Sequence, residues 1–286
     1  MSKDVALVLS CGGARGLAQI GVIEELEAQG YHITSVAGSS MGALIGGIYA
    51  TGRLGLFREW MKTINYKKIL GMTDISITLD HLVKGTRLID VITQFIPDVY
   101  IEDLPISYCA IASDWKTGRE VVIRSGSLFE AIRASISLPA LYKPVRRDGM
   151  ILIDGGVTNS FPLNRVERHK GDLLIGVDVC GHDYEGLSDY QTALAERRKR
   201  NTSLSKQILY KLTPRLDYNY YSTLSRAVSL MLQQSSTLMA EMTKPDLIIS
   251  IKTTRYGGLD FNKSEKFIAI GHLKAQQALR DFRPKQ

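Results

Sequence analysis

Short, uninterrupted apolar runs alternate along this chain with stretches whose apolar residues recur every three or four positions. Val5–Leu9 is the first such run. It leads through a glycine-rich loop into Leu17, Ile20, Val22, Ile23 and Leu26, which are helically spaced up to Gly30. Tyr31–Ala37 alternates and then turns wholly apolar, predicting a strand entering a core, and Ala43–Ala50 continues as a helix-compatible stretch of small residues. Further strands are predicted over Ile106–Ser113, Glu120–Ile123 after the Thr117-Gly118 turn, Met150–Asp154, Leu173–Val179 and Asp246–Ile251. Helices are predicted around Asp90–Ile96, over Leu128–Ile136 with a stop at Pro139, from about Ser222 to Met242, and over Lys263–Leu279. Apolar runs without alternation suit strands buried on both faces, as in a parallel sheet covered by helices. The pattern therefore predicts an α/β fold: three layers, α/β/α, around a mostly parallel central sheet.

The loops after the first two strands carry the candidate chemistry. Gly38-Ser39-Ser40-Met41-Gly42 is a G-x-S-x-G pentapeptide between a strand and a helix. A sharp turn there leaves little room for Cβ atoms beside its tip, so two glycines flank a serine whose hydroxyl is pushed into the open. Free N–H groups and the helix dipole at that point favour a developing negative charge. Ser40 is thus a candidate nucleophile for acyl transfer. The earlier loop, Gly12-Gly13-Ala14-Arg15-Gly16, could contribute N–H groups to an oxyanion hole together with Met41, with Arg15 steadying the loop or the charge. A dinucleotide site also uses a glycine loop at the first βα turn, but here Cys11 stands where the first glycine would fall. The acid expected at the end of the second strand is replaced by Gly38-Ser39-Ser40. A catalytically silent α/β protein binding a nucleotide or anion is the reading from a different class.

A serine nucleophile needs a base. Of the five histidines, His32, His81, His169, His182 and His272, the candidates in the usual order, acid and then histidine after the serine, are His169, His182 and His272, and each reads as a surface or helix-face residue. His169 reads as a solvated helix end and His272 as one face of the terminal helix. Asp154 does stand out, directly after Met150–Ile153 and before Gly155-Gly156. An acid in that position points from the strand ends where α/β sites form. A Ser40–Asp154 dyad follows, although an ordinary aspartate with a pKa of about 3.9 is a weak base at neutral pH. Partial desolvation must raise it. The competing reading is an Asp-Gly turn closing a hairpin.

Taken together, the chain resembles the patatin-like phospholipases (lipid acyl hydrolases) of the bacterial type. Four blocks in order carry the likeness: Gly12–Gly16 with Gly21-Val22; Gly38–Ala43; Ala134-Ser135-Ile136-Ser137-Leu138-Pro139; and Asp154-Gly155-Gly156 with Asn159 and Pro162. The resemblance implies a Ser40–Asp154 dyad, an oxyanion hole at the first loop, and no metal or cofactor. It departs from the family pattern at Cys11, where a third glycine is frequent, and at Gln19, where bacterial members often have histidine. Lipid esters are the implied substrates; thioesters would use the same residues.

Composition bounds the rest. The 286 residues, 44% apolar, fit one domain large enough to bury about 75% of its unfolded surface. No run reaches the length of a membrane span. With strand, loop and helix already in the first thirty residues, no cleavable leader is expected. Three cysteines, Cys11, Cys109 and Cys180, have neither paired nor metal spacing, and a reducing cytoplasm is the expected compartment. The net charge is +7, with a basic cluster at Arg197-Arg198-Lys199-Arg200 followed by Lys206, Lys211 and Arg215. Residues 183–243 are thus either a basic lid or patch for peripheral contact with anionic membrane, or a solvated segment whose helix packs by its Met/Leu face. Nucleic acid is not an expected partner, because no stacking platform or helix-turn-helix accompanies the charge.

Overall fold

The computed structural model describes residues 3–63, 99–139, 141–181, 220–252 and 260–283. The helix expected around Asp90–Ile96 and the basic cluster of residues 197–215 lie outside them, as do His81 and His182.

The elements begin with β1 (Asp4–Leu9), α1 (Ala18–Ala28), β2 (His32–Ser39), α2 (Met41–Ala50) and α3 (Leu54–Lys62). The chain continues with β3 (Ser107–Asp114), β4 (Glu120–Ile123), α4 (Leu128–Ser135), β5 (Val145–Arg147), β6 (Met150–Asp154) and β7 (Leu173–Asp178). It closes with α5 (Tyr220–Thr243), β8 (Leu247–Ser250) and α6 (Ser264–Asp281). Among the described residues these strands form one sheet in the order β5-β6-β3-β2-β1-β7-β8, with β4 also paired to β3. The pairs β1–β2, β1–β7, β2–β3 and β7–β8 are parallel; β3–β4, β3–β6 and β5–β6 are antiparallel. The fold is therefore α/β, with a mixed, mostly parallel central sheet flanked by helices.

The apolar run of β1 is buried on both faces, as its lack of alternation predicts. Val5, Leu7 and Leu9 enter a large core shared with α1, α2, α3, α4 and α6. Ala6 and Val8 enter a smaller one on the opposite face, with Ala37, Cys109, Phe161, Leu163, Val166 and Leu174. Met239 and Ala240 of α5 pack against that second core.

Three expectations need correction. Residues 13–17 form a 3₁₀ turn before α1, so the helix starts at Ala18 and not at Leu17. His169 lies in an irregular loop, where its N–H donates to Asp172 Oδ2 at 2.9 Å, and not at a helix end. The Met/Leu face of α5 is split: Leu232 and Met239 turn inward, but Met231 and Leu238 are 71% and 49% exposed. Among the described residues of α5 the buried positions are polar, Gln233 and Ser236, and Ser236 Oγ and the Leu232 carbonyl meet the Ser160 hydroxyl. Helix α3, which buries Leu54, Phe57 and Met61 at helical spacing, and the three-residue β5 lie outside the elements expected above.

Candidate active site

The register of β3 explains why Ser40 and Asp154, far apart in sequence, meet. β4 runs along one edge of β3 opposite Ala110 to Ser113. On the other edge β2 occupies Ser107 to Ile111, ending with Ser39 opposite Ile111. β6 then takes over that same edge, with Asp154 opposite Ala112. The ends of β2 and β6 therefore abut along a single neighbour, and the next residue of β2 is Ser40.

Ser40 has φ 54° and ψ −120°, a conformation that only a tightly determined surrounding sustains, at about 1–3 kcal/mol. The glycines on either side make the bend possible. A Cβ at Gly42 would strike the Leu9 carbonyl, and one at Gly38 the Gly42 carbonyl. The Ser40 hydroxyl donates to Asp154 Oδ2 at 2.5 Å. The other carboxylate oxygen, Oδ1, accepts the Gly156 N–H at 2.8 Å, so Gly155-Gly156 forms a 3₁₀ turn around the acid and does not close a hairpin.

Asp154 is 3% exposed, and among the described residues no cation bonds it. Burial pushes its pKa up from 3.8 to about 6, against the lowering effect of its bonds from Ser40 and Gly156. The desolvation that the dyad requires is thus present. None of the three described histidines reaches Ser40. His32 meets Asp4, His169 meets Asp172, and His272 lies between Glu24 and Glu25.

The glycine loop follows β1 beside this pair. It is tied down by Ser10 N–H to the Val177 carbonyl at 3.1 Å and by Cys11 N–H to the Ser160 carbonyl at 2.8 Å. Gly13 (φ 55°) opens the 3₁₀ turn and Met41 opens α2, so the N–H groups of Gly13, Ala14 and Met41 have no partner within those helical turns. Gly16 lies against the Met41 side chain, which joins the two turns. Arg15 is half-buried and its Nε donates to the Gly12 carbonyl at 3.4 Å, so its side chain bonds the loop itself.

The two departures from the family pattern both have partners. Gln19 is fully buried and its Nε2 donates to the Ser10 carbonyl at 2.8 Å, tethering α1 to the start of the loop. Cys11 touches Cys180, Sγ to Sγ 3.5 Å, and the Cys180 thiol donates to the Cys11 carbonyl at 2.8 Å. Both are free thiols, and the hydrogen bond with Cys180, then burial, hold the Cys11 pKa high. Their spacing of 169 residues gave no hint of a pair.

Sequence reasoning also passed over the third block as chemistry. The Ser40 N–H donates to Ser135 Oγ at 2.9 Å, and the Asp154 N–H donates to the Ser137 carbonyl at 2.9 Å. Among the described residues no group of His, Cys, Asp and Glu could hold a metal ion, and no helix is long and apolar enough to cross a membrane.

The chain is similar to an uncharacterized NTE family protein of Mycobacterium tuberculosis, 41% identical over 182 residues, 64% of this chain and 51% of that protein. It is also similar to patatin-like phospholipase domain-containing protein 6 of Mus musculus, 32% identical over 68% of this chain and 15% of that protein. Among solved structures, VipD from Legionella pneumophila is similar at 15% identity and a TM-score of 0.49, over 96% of this chain and 66% of that one. The chain spans about half the length of the mycobacterial relative and a smaller share of the mouse protein. Residues 7–166, more than half of the chain and all four blocks, match the patatin-like phospholipase family. The chain belongs to that family.

Proposed function

We propose that the protein hydrolyses carboxylic esters of lipids, with Ser40 as nucleophile and Asp154 as the base that activates it. The observation that carries this reading is the 2.5 Å bond from the Ser40 hydroxyl to a buried carboxylate of raised pKa. An aspartate with a pKa of about 6 is ionised at neutral pH yet basic enough to take a proton as the C–O bond forms. Ser40 Oγ attacks the ester carbonyl while Asp154 Oδ2 takes its proton. The negative charge moves to the former carbonyl oxygen, where the amides of Gly13, Ala14 and Met41 are the proposed donors, within the loop Gly12–Arg15. Collapse expels the alcohol or lysolipid with the proton held by Asp154. Water, deprotonated by the same carboxylate, then attacks the acyl-enzyme and restores free Ser40.

Membership of the patatin-like phospholipase family supports a lipid as the acyl donor. The net charge of +7 and the basic cluster at Arg197-Arg198-Lys199-Arg200 support peripheral contact with an anionic membrane. No cofactor enters the scheme. The test is labelling by a fluorophosphonate together with turnover of a short-chain chromogenic ester and of phospholipid vesicles. The parent should label at Ser40 and turn over, and Ser40→Ala should lose both, with turnover falling roughly 10⁴–10⁶-fold. Full turnover in Ser40→Ala would remove the scheme. Absence of labelling with tight nucleotide binding would favour the silent binding protein, and faster cleavage of acyl thioesters than of esters would reassign the substrate.

A further inference from the structure

The dyad is held by a third segment that takes no part in the chemistry. Ser135 ends α4 and is completely buried; its Oγ accepts the Ser40 N–H at 2.9 Å. Two residues on, the Ser137 carbonyl accepts the Asp154 N–H at 2.9 Å. One turn of chain therefore grips the main chain of both partners. The turn is itself braced by Arg133. Its Nη1 donates to Ser137 Oγ at 2.6 Å, its Nη2 to the Lys143 carbonyl at 2.7 Å, and Ser137 Oγ donates back to the Arg133 carbonyl at 2.8 Å.

The grip matters because of the Ser40 backbone. With φ 54° a non-glycine residue sits outside its ordinary minima, and relaxing the preceding peptide plane would swing the Cα–Cβ bond away from Asp154. The Ser40 N–H also precedes α2, so no helical carbonyl satisfies it. A side-chain hydroxyl is the acceptor provided, and it fixes that peptide plane.

Resting on the Ser–Asp reading above, we infer that Ser135 is a positioning residue of the dyad, its hydroxyl holding the Ser40 amide while the Ser137 carbonyl holds that of Asp154. Losing the hydroxyl detaches Ser40 from its carboxylate without touching substrate contacts. The expected signature is a lower kcat at unchanged KM, since misplacing a reacting atom by about 1 Å costs up to roughly 10²-fold. Asp154 would also lose the hydroxyl bond that lowers its pKa, so the acid limb of activity should move to higher pH.

The experiment compares Ser135→Ala, Ser135→Thr and Ser135→Val, with active sites titrated by a fluorophosphonate and kcat, KM and pH profile measured on a soluble ester. Thr and Val have the same shape and differ by the hydroxyl, so the added methyl cancels between them even where Ser135→Ala fails to fold. Support is a kcat per titrated site roughly 10–100-fold lower in Val and Ala, restored in Thr, with the acid limb raised only where the hydroxyl is missing. Equal kcat and equal acid limbs in Thr and Val, with melting temperature alone reduced, would overturn the inference and leave the hydrolase reading standing. A parent protein that neither labels nor hydrolyses would sink both.

Discussion

Asp114 and Asp154 end neighbouring antiparallel strands, β3 and β6, and both are almost completely enclosed, at 5% and 3% exposure. Their electrostatics are opposite. Asp114 accepts the Thr117 hydroxyl at 2.7 Å and the N–H groups of Lys116 and Ile151 at 3.3 Å each. The Thr117 bond first, and the amides after it, hold its carboxyl below the usual aspartate value. Asp154 has one hydroxyl and one amide, and there desolvation wins, moving it up to about 6. Enclosure alone therefore does not make a base. Desolvation is the leading cause at Asp154, whereas at Asp114 the Thr117 hydroxyl and the backbone amides outweigh it. A tight Asp-Trp-Lys-Thr turn satisfies the first carboxylate, whereas Asp-Gly-Gly leaves the second with a raised pKa.

The sharpest way to break this comparison is to remove each charge in turn. Asp154→Asn should lower kcat by roughly 10⁴–10⁶-fold with the fold intact, the range seen when the base of a serine hydrolase or the acid that orients it is removed. Its stability should move the other way. A raised pKa means that the folded state binds the proton more tightly, so the Asp154 contribution falls as pH climbs from about 4 to about 6. At neutral pH, Asp154→Asn should equal or exceed the parent, by up to about 3 kcal/mol in denaturant melts. Strong activity in that variant would end the role assigned to this acid.

A smaller effect sharpens the contrast through pH. The acid limb of kcat/KM on a soluble ester should have its midpoint near the Asp154 value of about 6, falling about tenfold per pH unit below it. A midpoint close to the ordinary aspartate value would mean that burial is not tuning the base. The smallest effect on turnover belongs to Asp114→Asn. It should leave kcat near the parent value and lower the melting temperature at neutral pH. Because the folded pKa is depressed, that stabilisation is present above the ordinary aspartate pKa and fades as the pH falls. A large loss of kcat there would show that the two turns are coupled.

Much of this was legible in the chain. The apolar runs of β1, β3, β6 and β7 announce themselves because strands buried on both faces have no polar alternation to blur them. Ser40 and Asp154 were legible for a related reason. Each stands at the junction of such a run with glycines, and few other residue combinations suit a bend at a strand end. The split face of α5 was not legible, since two apolar stripes on one helix look alike until a partner buries one. Nor was the third block, whose serines act through a hydroxyl and a carbonyl aimed at other segments and follow no period of their own.

By itself the sequence determined the strand-loop-helix alternation, the elbow, the acid at the end of β6 and the family, because these depend on local sterics and on residue order. Only the tertiary structure decided that β2 and β6 share one edge of β3, which places hydroxyl and carboxylate in contact. It also decided the raised pKa of Asp154, the thiol contact of Cys11 with Cys180 and the double grip of Ser135 and Ser137. Each of these is a property of distance and desolvation between segments remote along the chain, and neither quantity is set until the sheet has closed around them.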